Sequence, residues 1–90
     1  METTQAKIKL TLTSVYDSKV KQHQHMMPVR TIDEALRSFG AGAKKEGHEF
    51  KDFASDFSLW VLGYYYPETG VIEPTAPMQI ASATEFTTKQ

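Results

Sequence analysis

The chain has 90 residues and a mass of 10.2 kDa, 40% of it apolar and 11% aromatic. That is enough for one small core, too aromatic for a disordered chain, and nowhere apolar for long enough to span a bilayer. The absence of cysteine excludes disulfides, thiolate metal sites and a cysteine nucleophile, and the net charge of −1 excludes a uniformly basic protein.

Residues 1–6 read as a polar tail. The run Lys7-Ile8-Lys9-Leu10-Thr11-Leu12-Thr13 then alternates strictly, with Ile8, Leu10 and Leu12 on one face. This predicts a half-buried strand that continues through Val15 and Tyr16. Asp17-Ser18 opens a turn, residues 19–25 form a flexible polar connection, and residues 26–30 form a short second strand. Pro28 places that strand at an edge of the sheet. Thr31-Ile32-Asp33-Glu34 is a capping box, in which Thr31 accepts from the Glu34 amide and Glu34 reaches back to the Thr31 amide. Ile32, Ala35, Leu36, Phe39 and Ala43 follow on one helical face, and Gly47 supplies a stop. Gly40 and Gly42 weaken the last turns and permit a close approach of a sheet or a partner.

Residues 48–56 read as a loop anchored by Phe50 and Phe53. Residues 57–66 are aromatic and β-branched, as in a central strand. Regular alternation puts Phe57, Leu59, Val61 and Tyr65 on one face and Trp60, Leu62, Tyr64 and Tyr66 on the other. Residues 67–70 form a turn, Val71 and Ile72 return as the paired strand, and Pro74 and Pro77 interrupt the way to an extended piece at 78–83. Residues 84–90 read as a loose tail.

These elements predict a single α+β domain over residues 1–90, with an ordered core at about 7–83 and polar tails at 1–6 and 84–90. Its order is strand-strand-helix-strand-strand, with the helix on one face of a small sheet. Ile8, Leu10, Leu12, Leu59 and Val61 are expected beneath Ile32, Leu36 and Phe39. The other sheet face is left for a homodimer seam or a single-strand groove, because a small domain without staples often completes its core by oligomerising.

Catalysis has little support. His23 and His25 form a His-x-His pair to which His48 would add a third zinc ligand, but nothing in the spacing ties His48 to the pair. No phosphate-cradling glycine loop is present, and Gly40-Ala41-Gly42 comes late in a helix. No enzyme activity, cofactor or metal is expected. Charge is informative only by halves. Residues 1–45 carry eight bases against four acids and residues 46–90 two against seven, so the halves are +4 and −5. A basic half with interleaved aromatics fits single-stranded nucleic acid, which is bound by phosphate-tracking cations and stacking rings. Lys7, Lys9, Lys19, Lys21 and Arg37 are the expected phosphate contacts, and Tyr16 with Tyr64 or Tyr66 the stacking platform. Trp60 has three readings: core, dimer seam or platform.

Leu12-Thr13-Ser14-Val15-Tyr16-Asp17-Ser18-Lys19 resembles the strand-and-turn signature of the small nonstructural protein of gokushovirus-type microviruses, tailless bacteriophages with single-stranded DNA genomes. Met27-Pro28-Val29-Arg30 and Glu34-Ala35-Leu36-Arg37-Ser38-Phe39 are similar to that family's Pro-aromatic strand and its helix. His48-Glu49-Phe50, Asp56-Phe57-Ser58-Leu59-Trp60-Val61-Leu62-Gly63 and Glu68-Thr69-Gly70-Val71-Ile72 complete the pattern. The chain departs from it at Val29, where the family often has a bulky aromatic. It departs again at Tyr64-Tyr65-Tyr66-Pro67, where the family's turn is more acidic, and in the Gln/His-rich residues 19–26. The resemblance implies a phage protein absent from the virion and working in the cytoplasm of the infected bacterium. It implies a role in DNA binding, genome replication or the switch to single-strand production. The expected function is thus non-catalytic binding of single-stranded DNA, with no membrane partner. The alternative is an interaction module for a host or phage replication or defence protein, docking on the aromatic hairpin.

Overall fold

A computed structural model describes residues 8–87. Among them four strands, β1 (Leu10–Asp17), β2 (Gln22–Val29), β3 (Phe57–Tyr66) and β4 (Val71–Ser82), form one antiparallel sheet in the order β2-β1-β3-β4. Between β2 and β3 come α1 (Ile32–Lys44), a one-turn helix α2 (Glu49–Asp52) and a 3-10 turn at Ala54–Asp56. A last short helix, α3 (Thr84–Thr87), follows β4. The α+β architecture with one helix layered on the sheet is as the sequence predicts.

The capping box starts α1, with one change of partner. The Glu34 amide donates to Thr31 Oγ1 at 3.1 Å, but the Glu34 carboxylate accepts from the Arg30 amide at 2.8 Å rather than from that of Thr31. Ala35, Phe39 and Ala43 are buried against Val15, Val29, Phe57 and Leu59, while Ile32 is 39% exposed. Gly40 and Gly42 do allow a close approach, by side chains of this same chain. A Cβ on Gly40 would meet the Phe86 ring at 2.8 Å, and one on Gly42 the Phe50 ring at 2.9 Å.

The face of β1 turned to the helix is the opposite of the expected one. Val29, in the core, pairs with Thr11, so Thr11, Thr13 and Val15 face the helix and Leu10 and Leu12 face away. Thr13 tolerates this position because its hydroxyl donates to the Met27 carbonyl at 3.0 Å, which satisfies the polar group while its methyl packs. Ile8 is 58% exposed and is no part of the core.

Several boundaries also differ. The polar residues 22–25 belong to β2, an edge strand in which Pro28 pairs with Leu12. Residues 48–56 contain α2, whose first turn is capped by His48; Phe50 is buried there, but Phe53 is 61% exposed. β4 is one strand through Pro74 and Pro77, made possible by its place at the edge and by two register shifts against β3. Within residues 84–87, α3 brings Phe86 onto Phe39 at a ring-centroid distance of 5.9 Å, so this part of the expected tail is structured.

A domain of this length has a radius of gyration of about 12 Å when compact. The observed 15.0 Å, with extents of 53 × 26 × 18 Å, reflects the long β3–β4 hairpin.

Candidate nucleic-acid interface

The sheet face away from α1 carries a cluster of three rings. Tyr16 is the penultimate residue of β1, His23 lies directly opposite on β2, and Trp60 comes from β3 where it pairs with Ser14. The Tyr16 and His23 ring centroids are 4.8 Å apart, His23 and Trp60 5.4 Å, and Tyr16 and Trp60 6.1 Å. Beneath them Ser14 is fully buried, and its hydroxyl shares a 2.7 Å hydrogen bond with His23 Nδ1. The Trp60 indole N–H donates to Ser58 Oγ at 2.8 Å. Every polar atom at the base of the cluster is therefore engaged, while Tyr16 and Trp60 stay half-buried and His23 exposed. Trp60 is neither in the helix-side core nor free on the surface.

The β1–β2 turn, residues 18–21, begins two residues beyond Tyr16. Asp17 organises it, accepting the Lys19 amide at its carboxylate (2.9 Å) and the Lys21 amide at its carbonyl (2.7 Å). Lys21 has φ 58, a conformation rare for a residue with a Cβ. Lys19 and Lys21 are both exposed there, next to the ring cluster in the chain.

The other expected contacts do not join this group. An extra residue in β3, Leu62, lies between the Gly63–Leu12 and Val61–Thr13 pairs. Such a bulge reverses which face the following side chains occupy. Tyr64 therefore pairs with Thr11 on the helix side, and Tyr65 with Leu10 on the open side, the reverse of regular alternation. Tyr64 and Tyr66 have other neighbours: Lys9 Nζ lies 4.4 Å from the Tyr64 ring centroid, and the Tyr66 hydroxyl donates to Glu73 at 2.9 Å. That hydrogen bond, aided by the Glu73 charge, holds the Tyr66 pKa above its ordinary value. Tyr16 cannot form one platform with either. Arg37 is exposed on α1, in the layer covering the other face, and Lys7 lies outside the described residues.

Sequence reasoning missed His23 and Tyr65 as members of the open face. The signal for His23 was its strand position opposite Tyr16, hidden because residues 22–25 lack strand-forming character. Among the described residues no group of three histidine, aspartate or glutamate side chains is placed to hold a metal ion.

The family model described as "Phage ORF5 protein" matches residues 10–86 of the chain. No curated protein and no solved structure matches it.

Proposed function

The chain belongs to the phage ORF5 protein family, and on that premise we propose that it is a non-catalytic single-stranded DNA-binding protein of phage genome replication. In this reading it is the small nonstructural protein of a gokushovirus-type microvirus. It acts in the cytoplasm of the infected bacterium, in replication or in the switch to single-strand production. The observation that supports the reading is the Tyr16–His23–Trp60 cluster on an uncovered sheet face, with Lys19 and Lys21 in the adjoining turn. Aromatic rings on an open four-stranded sheet offer stacking platforms to unpaired bases, and nearby lysines hold the phosphates. Lys9 and Arg37 are secondary phosphate contacts at most, being in other parts of the surface.

Titrating the protein with a single-stranded oligonucleotide should change Trp60 fluorescence saturably, with weaker binding to a duplex of the same sequence. Tyr16→Ala should weaken single-strand binding by about 1–3 kcal/mol, roughly 5- to 150-fold, the cost of one lost stacking partner. A loss below about twofold in a folded variant would remove Tyr16 from the interface. The Lys19→Ala/Lys21→Ala double variant should flatten the slope of log affinity against log salt by about 1.4, since each single-strand phosphate contact contributes about 0.7. An unchanged slope would place the phosphates elsewhere.

A second reading is supported by the hairpin, where Val71, Ile72 and Met78 are each more than half exposed at 52%, 57% and 53%. Such a surface suits a protein partner, a host or phage replication or defence factor. Binding to the hairpin with no DNA affinity at low salt would favour it.

A further inference from the structure

A cavity of about 240 Å³ lies on the helix side of the sheet, between β1, β2, α1 and α2. Its walls are the rings of Phe39 and Phe50 and the aliphatic side chains of Val15, Val29 and Leu59. The polar groups that line it differ in kind. His48 Nδ1 accepts the Phe50 amide at 3.0 Å, so the proton of the neutral ring sits on Nε2 and that N–H is a donor. Glu49 is an acceptor when ionised, with its carboxylate 4.0 Å from His25 Nε2. Ser38, exposed on α1, can donate and accept.

Two backbone features shape this space. A Cβ on Gly42 would come within 2.9 Å of the Phe50 ring and 3.2 Å of His48 Nε2, so a side chain there would push both rings out of place. His25 has φ 52 at the irregular stretch of the β1–β2 pairing, and its ring meets Phe50 edge-on at 5.9 Å. A residue with a Cβ is held in that region at a cost in free energy, and such outliers cluster where ligands bind.

We infer that this cavity is a binding site for a single nucleobase. A base has flat apolar faces for the phenylalanine rings, and donors and acceptors at its edge for Glu49, Ser38 and His48. Pockets for drug-sized ligands run from about 300 to 1,000 Å³, so a 240 Å³ cavity holds one ring system rather than a whole nucleotide. The Glu49 carboxylate keeps phosphates outside. Two sources carry the ring, a free nucleoside and an unpaired base of a single strand. The site is separate from the open face and does not depend on what binds there.

The test is a titration of the full chain with each of the four common nucleosides, followed by NMR at the Phe50 and His48 rings and the Gly42 amide. At least one nucleoside should shift these resonances saturably with the Trp60 indole signal unmoved. Gly42→Val should weaken that binding at least tenfold. Should that variant fail to fold, Ser38→Leu, at an exposed position on the cavity wall, should do the same. An oligonucleotide that shifts the cavity resonances as well identifies a strand as a source, and one that shifts only Trp60 identifies the free nucleoside. Nucleosides that leave Phe50 and His48 unmoved at millimolar concentration, or that move only Trp60, overturn the inference. So does unchanged nucleoside affinity in both variants.

Discussion

Phe50→Ala is expected to remove a large part of the stability of this protein. Phe50 is 8% exposed and packs against three other rings, with centroids at 5.2 Å to Phe39, 5.0 Å to Phe57 and 4.5 Å to His48. Truncating a buried phenylalanine costs about 3–5 kcal/mol, the lost transfer energy plus the cavity left behind. At 0.05–0.15 kcal/mol per residue, a domain of this length has only about 5–13 kcal/mol in total. Chemical denaturation should therefore show a large fall in the midpoint, with Phe50→Leu losing clearly less. A change below about 1 kcal/mol for the alanine variant would mean that α2 is not anchored to the core through this ring.

Gly63→Ala should act on a different part of the molecule. The position pairs with Pro74 at a register shift, and an added Cβ would sit 2.5 Å from the Glu73 carbonyl oxygen and 2.9 Å from the Pro74 Cα. Both obstacles are backbone, which cannot swing aside as the Phe86 ring beside Gly40 can. The backbone at Gly63 (φ 158) adds strain for any side chain. The expected cost is about 1–3 kcal/mol, as for other overpacked sites. It should be concentrated in the hairpin: amides beyond residue 63 in β3 and before residue 75 in β4 should lose hydrogen-exchange protection while those of α1 keep theirs. Uniform loss throughout would show that the hairpin and the helical core unfold as one unit.

The contrast between these two sites also explains what could be read from the sequence. The cap at Thr31, the helical face of Ala35, Phe39 and Ala43, and the aromatic strand at residues 57–66 all declare themselves by local chemistry, and each is present. The sheet faces do not, because the bulge at Leu62 is a property of two strands paired together, and its one local mark, Gly63 beside it, does not say which side chains it reverses. Hydrophobic alternation in β1 was a false guide for a related reason. Leu10 and Leu12 outrank Thr11 and Thr13 in hydrophobicity, yet a threonine whose hydroxyl finds a carbonyl, as Thr13 finds that of Met27, is an acceptable core residue. Residues 22–25 are recruited into β2 by pairing with β1 rather than by their own propensity. The candidate interface suffers most from this. Tyr16 was identifiable, but its companions were fixed by cross-strand register.

The prolines of the two outer strands limit how copies of this protein can meet. Pro28 interrupts the row of amides along β2, and Pro74 and Pro77 interrupt it along β4. A neighbouring chain seeking to extend the sheet would find donors missing on either border, so end-to-end growth into a ribbon is disfavoured at both sides. Self-association through the sheet face is a different case. It would compete with the strand proposed to bind there, so that the two states would exclude one another.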